Sequence, residues 1–148
     1  ISIDMETIAI QFDLTSDDVH SGLCLEISFN NQLLQKIDAT ETTQKIQFGI
    51  DCEPGDQLLG FTLKNKTPQH TVIDDQGEIV KDSSIGIENF VVNHVALEHT
   101  FYEQCRYNHD FNGSQESIDD DFFGTIGCNG TVSLKFTSPV YRWLVDTM

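Results

Sequence analysis

The chain has 148 residues, 24 of them acidic and 8 basic, giving a formal net charge of −16 at pH 7 with neutral histidines. That length suits one domain around a single core, residues 1–148, and the negative field excludes nucleic acid and anionic membrane surfaces as partners. No run of about 18 apolar residues exists, so no membrane insertion is expected, and the opening ISIDMETIAIQF lacks the basic start and unbroken apolar stretch of a signal peptide.

Period-two alternation dominates the chain, as expected of half-buried strands. Ile8, Ile10, Phe12 and Leu14 face one way against Gln11 and Asp13; Leu23, Leu25, Ile27 and Phe29 repeat this against Glu26 and Ser28. Asn30-Asn31 reads as a tight turn, with Gln32 to Asp38 returning as the hairpin partner. Ile46, Phe48 and Ile50 alternate again, Glu53-Pro54-Gly55-Asp56 breaks the chain, and Leu59, Phe61 and Leu63 form the next strand. Val72 to Asp74 and Glu78 to Val80 bracket a three-residue hairpin loop, and Ile85, Ile87 and Phe90 to Val92 continue the sheet. From His99 to Asp121 neither regular period is visible, so this segment reads as a long excursion. Val132, Leu134 and Phe136 close the alternation, and Tyr141 to Val145 is a strand or one helical turn. Eight to ten short strands with no amphipathic helix predict an all-β fold, a two-sheet antiparallel β-sandwich of the jelly-roll type, with a closed barrel as the alternative.

Acidic residues gather in turns, where oxygen ligands for a hard cation such as Ca²⁺ are supplied at close range. Asp74, Asp75, Glu78 and Asp82 crowd one hairpin and its exit, but their spacing is not that of an EF-hand, and a solvated hairpin fits equally. Asp119-Asp120-Asp121, followed by Phe122-Phe123, offers the same choice between cation site and solvated loop. The five histidines form neither the helical i, i+4 pair nor the H-x-H pair of zinc sites, and no G-x-S-x-G elbow is present. Cys24, Cys52, Cys105 and Cys128 contain no C-x-x-C pair; Cys105 and Cys128 are either thiols or one disulfide, according to compartment. Tyr102, Tyr107 and Asp110 lie in the excursion beside Arg106 and Asn108, a mixture suited to ligand recognition, whereas Trp143 reads as core.

Two stretches, Leu63 to Leu97 and Gly127 to Leu144, carry a resemblance. They contain an asparagine after a strand, the hairpin V-x-D-x-x-G-x-I, the strand D-x-x-I-x-I-E, and the closing NG-x-x-x-L-x-F-x-SP-x-Y-x-W-L. In these the chain resembles small β-sandwich proteins of tailed marine phages, especially those infecting cyanobacteria, which look in turn like calcium-dependent xylan-binding modules. The resemblance implies a carbohydrate-binding-module-like sandwich with Ca²⁺ as cofactor and Asn65, Asp82 and Glu88 nearest the metal. Where those modules carry Asp directly after that Asn and Arg directly after that Asp, this chain carries Lys66 and Ser83. The leading expectation is a non-catalytic structural or binding module of a phage particle: a decoration, fibre or tail component. It would be assembled in the infected bacterium's cytoplasm and located in the virion, contacting other virion proteins, further copies of itself, or host-surface glycan. The alternative is a free calcium-dependent carbohydrate-binding domain, and the third reading a small hydrolase.

Overall fold

Two antiparallel sheets packed face to face bury the alternating apolar residues in the computed structural model, which describes residues 5–148. The first four residues of the stretch read for a signal peptide lie outside the described residues. The strands are β1 Glu6–Ser16, β2 Cys24–Phe29, β3 Gln32–Asp38, β4 Thr43–Cys52, β5 Gly55–Lys64, β6 Thr71–Ile73, β7 Ile79–Asp82, β8 Ile85–Val92, β9 Val95–Ala96, β10 Cys105–His109, β11 Ile118–Asp121, β12 Thr125–Ile126 and β13 Gly130–Ser138. A 3-10 turn, Pro68–His70, precedes β6, and two helices, α1 His99–Gln104 and α2 Val140–Thr147, interrupt the β pattern.

One sheet runs β12-β8-β1-β4 with β9 on β8, the other β11-β10-β13-β5-β2-β3, and β6 and β7 form a separate hairpin. Among the described residues the two sheets do not join edge to edge, so the sandwich holds over the barrel alternative. Ile8, Ile10, Phe12 and Leu14 of β1 and Leu59, Phe61 and Leu63 of β5 are all buried, as their alternation requires. Asn30 and Asn31 sit at φ 49° and 69°, the left-handed pair that matches a two-residue turn to the twist of its strands.

The centre of the core is aromatic. Phe12 and Phe90 come from one sheet and Phe61 from the other, with Phe12 and Phe61 edge-to-face at 5.5 Å. Phe101 of α1 stacks on Phe90 at 4.0 Å, so α1 closes one mouth of the sandwich with its buried ring. Burying each such ring is worth roughly 1.5–3 kcal/mol.

The expectations of no amphipathic helix and of an excursion without regular structure fail, and the tail takes the helical of its two alternatives. The excursion from His99 to Asp121 holds α1, β10 and β11. Alternation does exist in β10, with Cys105, Tyr107 and His109 buried and Arg106 and Asn108 exposed; it is masked because its inward residues are not aliphatic. The tail is helical: Val140, Trp143 and Leu144, spaced i, i+3, i+4, are buried while Tyr141 and Val145 are exposed. Glu6 holds the start of α2, its carboxylate accepting from Val140 N at 2.7 Å and from the Ser138 hydroxyl.

Candidate functional site

Loops from four parts of the chain converge at one end of the sandwich around Lys66. Its side chain is 1% exposed, and its ammonium donates to Asp82 Oδ1 at 2.6 Å and to the Ser83 carbonyl. Its own backbone is pinned on both sides by Asn129, which accepts from Lys66 N at 3.0 Å and donates to Lys66 O at 2.9 Å. Asp82 accepts a second bond from Thr71 at 2.8 Å. Burial alone would raise the Asp82 carboxyl, but the hydrogen bonds from Lys66 and Thr71 and the charge of Lys66 hold it below its ordinary value.

The same cluster reaches the β1–β2 loop. Ser83 Oγ donates to Asp18 Oδ2 at 3.0 Å, and Lys81 reaches the same oxygen at 3.1 Å. Thr67 N donates to His70 Nδ1 at 2.9 Å, which makes Nδ1 the acceptor and leaves Nε2–H to donate to Ser21 O at 2.6 Å.

Of the three residues expected nearest a metal, Asp82 belongs to this cluster, and Asn65, at φ 72°, turns its amide to Gly22 O at 3.2 Å. Glu88 lies away on β8, exposed and in register with Asp13. Among the described residues no three His, Cys, Asp or Glu side chains converge as metal ligands. Calcium requires six to eight oxygens around an empty centre. Here the Asp82 oxygen and the Ser83 carbonyl both point at an ammonium, so these residues do not fit the ion.

A second locality is an open cleft of about 620 Å³ lined by His99, Tyr102, Glu103, Asp121, Phe122 and Phe123. His99, Tyr102 and Glu103 share one face of α1 by their i, i+3, i+4 spacing. The opposite wall is the end of β11 and the two residues after it. Phe122 is 1% exposed and packs against Tyr102 with ring centres 5.8 Å apart, whereas its neighbour Phe123 is 83% exposed. Tyr102 lies over Gly124, where even a Cβ would come within 3.3 Å of its ring, and its hydroxyl donates to Ile87 O at 3.1 Å. Burial first, and then the Glu88 charge, push the Tyr102 hydroxyl up, so it stays a donor at neutral pH. Arg106 forks across Asp119 and Asp121, with Nε to Asp119 Oδ2 at 3.3 Å and Nη1 on Asp121, which fixes this acidic wall.

The residues expected to recognise ligand thus divide. Tyr102 lines the cleft. Tyr107 is buried, its hydroxyl accepting from Cys128 N at 2.9 Å and donating to Cys128 O at 2.5 Å, so it offers no ring face for stacking. Asp110 shapes a turn, its Oδ1 accepting from Gly113 N at 2.8 Å. Cys105 and Cys128 are free thiols, Cys105 fully buried in β10. Sequence reasoning noted Phe122-Phe123 only as a follower of the aspartates, weighed His99 only among the histidines as a zinc ligand, and passed over Glu103. The adjacency of two phenylalanines was the available signal, since neighbouring side chains in extended chain point to opposite sides.

No family model matches the sequence, and no curated protein sequence does. Two solved structures share the fold. The selenomethionine form of vCBM60, described in connection with circular permutation linking two families of calcium-dependent carbohydrate binding modules, is 12% identical, with a TM-score of 0.57 over 86% of this chain and 89% of that chain. vCBM60 in complex with galactobiose is 13% identical, with a TM-score of 0.51 over 85% of this chain and 96% of that chain. At such identities the likeness is one of fold: a carbohydrate-binding-module-like sandwich. The phage half of the sequence resemblance is carried by its motifs alone.

Proposed function

We propose that this protein is a non-catalytic carbohydrate-binding domain. The observation that carries the reading is the likeness of its fold, over most of both chains, to a module solved with galactobiose. It favours the carbohydrate-binding alternative over the particle component. The cleft beside α1 is the place assigned to the sugar. An exposed phenyl face at Phe123 suits the apolar C–H face of a pyranose ring, and the carboxylates of Glu103 and Asp121 suit its hydroxyl protons. A smaller opening beside α2, about 410 Å³, offers no free ring, because Phe136 and Trp143 there are 4% and 8% exposed, and another of about 420 Å³ over β1 and β4 presents Phe48 but no carboxylate. A phage decoration, fibre or tail module contacting host-surface glycan would be one setting for such a domain; that setting rests on the motifs of residues 63–97 and 127–144.

The test is a calorimetric titration with soluble galactose-, xylose- and glucose-based oligosaccharides. Phe123→Ala should weaken binding roughly tenfold, the worth of one aromatic contact of about 1–1.5 kcal/mol. Its melting temperature should stay unchanged, because the ring contributes little to the core. Equal binding by wild type, Phe123→Ala and Glu103→Gln would remove the cleft from consideration, and no binding to any of these sugars would remove the function.

A further inference from the structure

We infer that Lys66 serves as a built-in cation, its ammonium tying its own loop to the β7–β8 junction in place of a metal ion, so that this domain folds without calcium. A structural Ca²⁺ gathers carboxylate and carbonyl oxygens from loops distant in sequence. The Lys66 ammonium takes the same two kinds of oxygen from one segment, Asp82 Oδ1 and Ser83 O, and ties that segment to its own loop after β5. It is supplied by the chain itself, so no free ion has to be captured.

Four segments meet around Lys66, two of them joined through its ammonium and the others through its backbone and Ser83. Lys66 leaves β5, Asp82 and Ser83 join β7 to β8, Asn129 precedes β13 and clasps the Lys66 peptide on both sides, and Ser83 passes the connection to Asp18 in the β1–β2 loop. The cost of placing an ammonium at 1% exposure is large unless it is paired and hydrogen-bonded. It is both, and the carboxylate partner keeps 44% of its side chain in water, which lowers the desolvation cost on that side. Lys64, two residues earlier, is exposed, so burial at residue 66 is a property of the site and not of the segment. Any metal entering here would have to displace the ammonium from the two oxygens it would need, against the electrostatic repulsion of two cations.

The inference is tested without glycan, so its failure is separate from failure of the carbohydrate reading. Thermal melting of the full chain is measured in chelator and in millimolar Ca²⁺, for wild type and for Lys66→Met, which keeps the length and removes the charge. Wild-type curves should coincide to within a degree, while Lys66→Met should melt roughly 5 °C or more lower in both buffers, as expected when one partner of a buried pair is lost. A wild-type rise of several degrees with Ca²⁺, or a Lys66→Met protein as stable as wild type, would overturn it. Should Lys66→Met not fold, terbium luminescence of the wild type decides: stoichiometric binding abolished by Asp82→Asn overturns the inference, and absence of such binding upholds it.

Discussion

Asp82 concentrates the electrostatics of the loop cluster in one carboxylate. Its value in the folded protein lies below the ordinary 3.8, first against the opposing effect of burial and then through Lys66 and Thr71. A depressed folded-state value means that the group adds stability above its unfolded value and loses it as pH falls through the folded one. Asp82→Asn removes that contribution. The melting-temperature gap between wild type and Asp82→Asn should therefore be full near pH 6 and close as pH falls below 3.8 through the depressed folded-state value. A gap independent of pH would mean that the Asp82 charge does not stabilise the fold. Comparison of the two proteins matters, because protonation of the other carboxylates affects both alike.

The pairing of β10 with β13 shows how much an element depends on one small residue. A Cβ on Gly130 would run into the Asn108 carbonyl oxygen and lie 2.8 Å from His109 Cβ, both on the neighbouring strand. Gly130→Ala should cost about 1–3 kcal/mol in a denaturant titration, as overpacking against backbone does. Gly127→Ala, where a Cβ meets nothing within 4 Å, should be close to neutral. Equal stabilities would show that the strand pair yields freely. The long strands were legible because their inward positions are aliphatic or Phe. β10 was not, since Cys, Tyr and His fill its inward positions, and α2 was not, since eight residues satisfy both the strand parity of Tyr141, Trp143 and Val145 and the helical spacing of Val140, Trp143 and Leu144. Packing against β13 and the Glu6 carboxylate at its start decide for the helix.

At the scale of the whole molecule, a formal charge of −16 on 148 residues makes the compact state repel itself. Raising sodium chloride from about 10 mM to about 500 mM shortens the screening length from roughly 30 Å to under 5 Å. Wild-type melting should rise across that range, with most of the gain in its first half on a logarithmic scale. A falling melting temperature would mean that the ion pairs of Lys66, Lys81 and Arg106 outweigh the general repulsion. The same charge leaves the cleft beside α1 with an acidic wall, which suits a neutral, hydroxyl-rich ligand and disfavours an anionic one.

By itself the sequence determined that this chain makes strands and that two faces of them meet in a core, because a pleated strand converts period-two alternation directly into an inside and an outside. The clusters of Asp, Asn and Gly likewise marked the turns that the structure contains. Tertiary structure alone decided the order of the strands, the exposure of Phe123 beside a buried Phe122, and the fate of Lys66. Nothing in the local pattern distinguishes Lys66 from Lys64. Only the convergence of loops remote in the chain takes its ammonium out of water and sets oxygens around it, and such convergence is a property of the folded chain rather than of any segment.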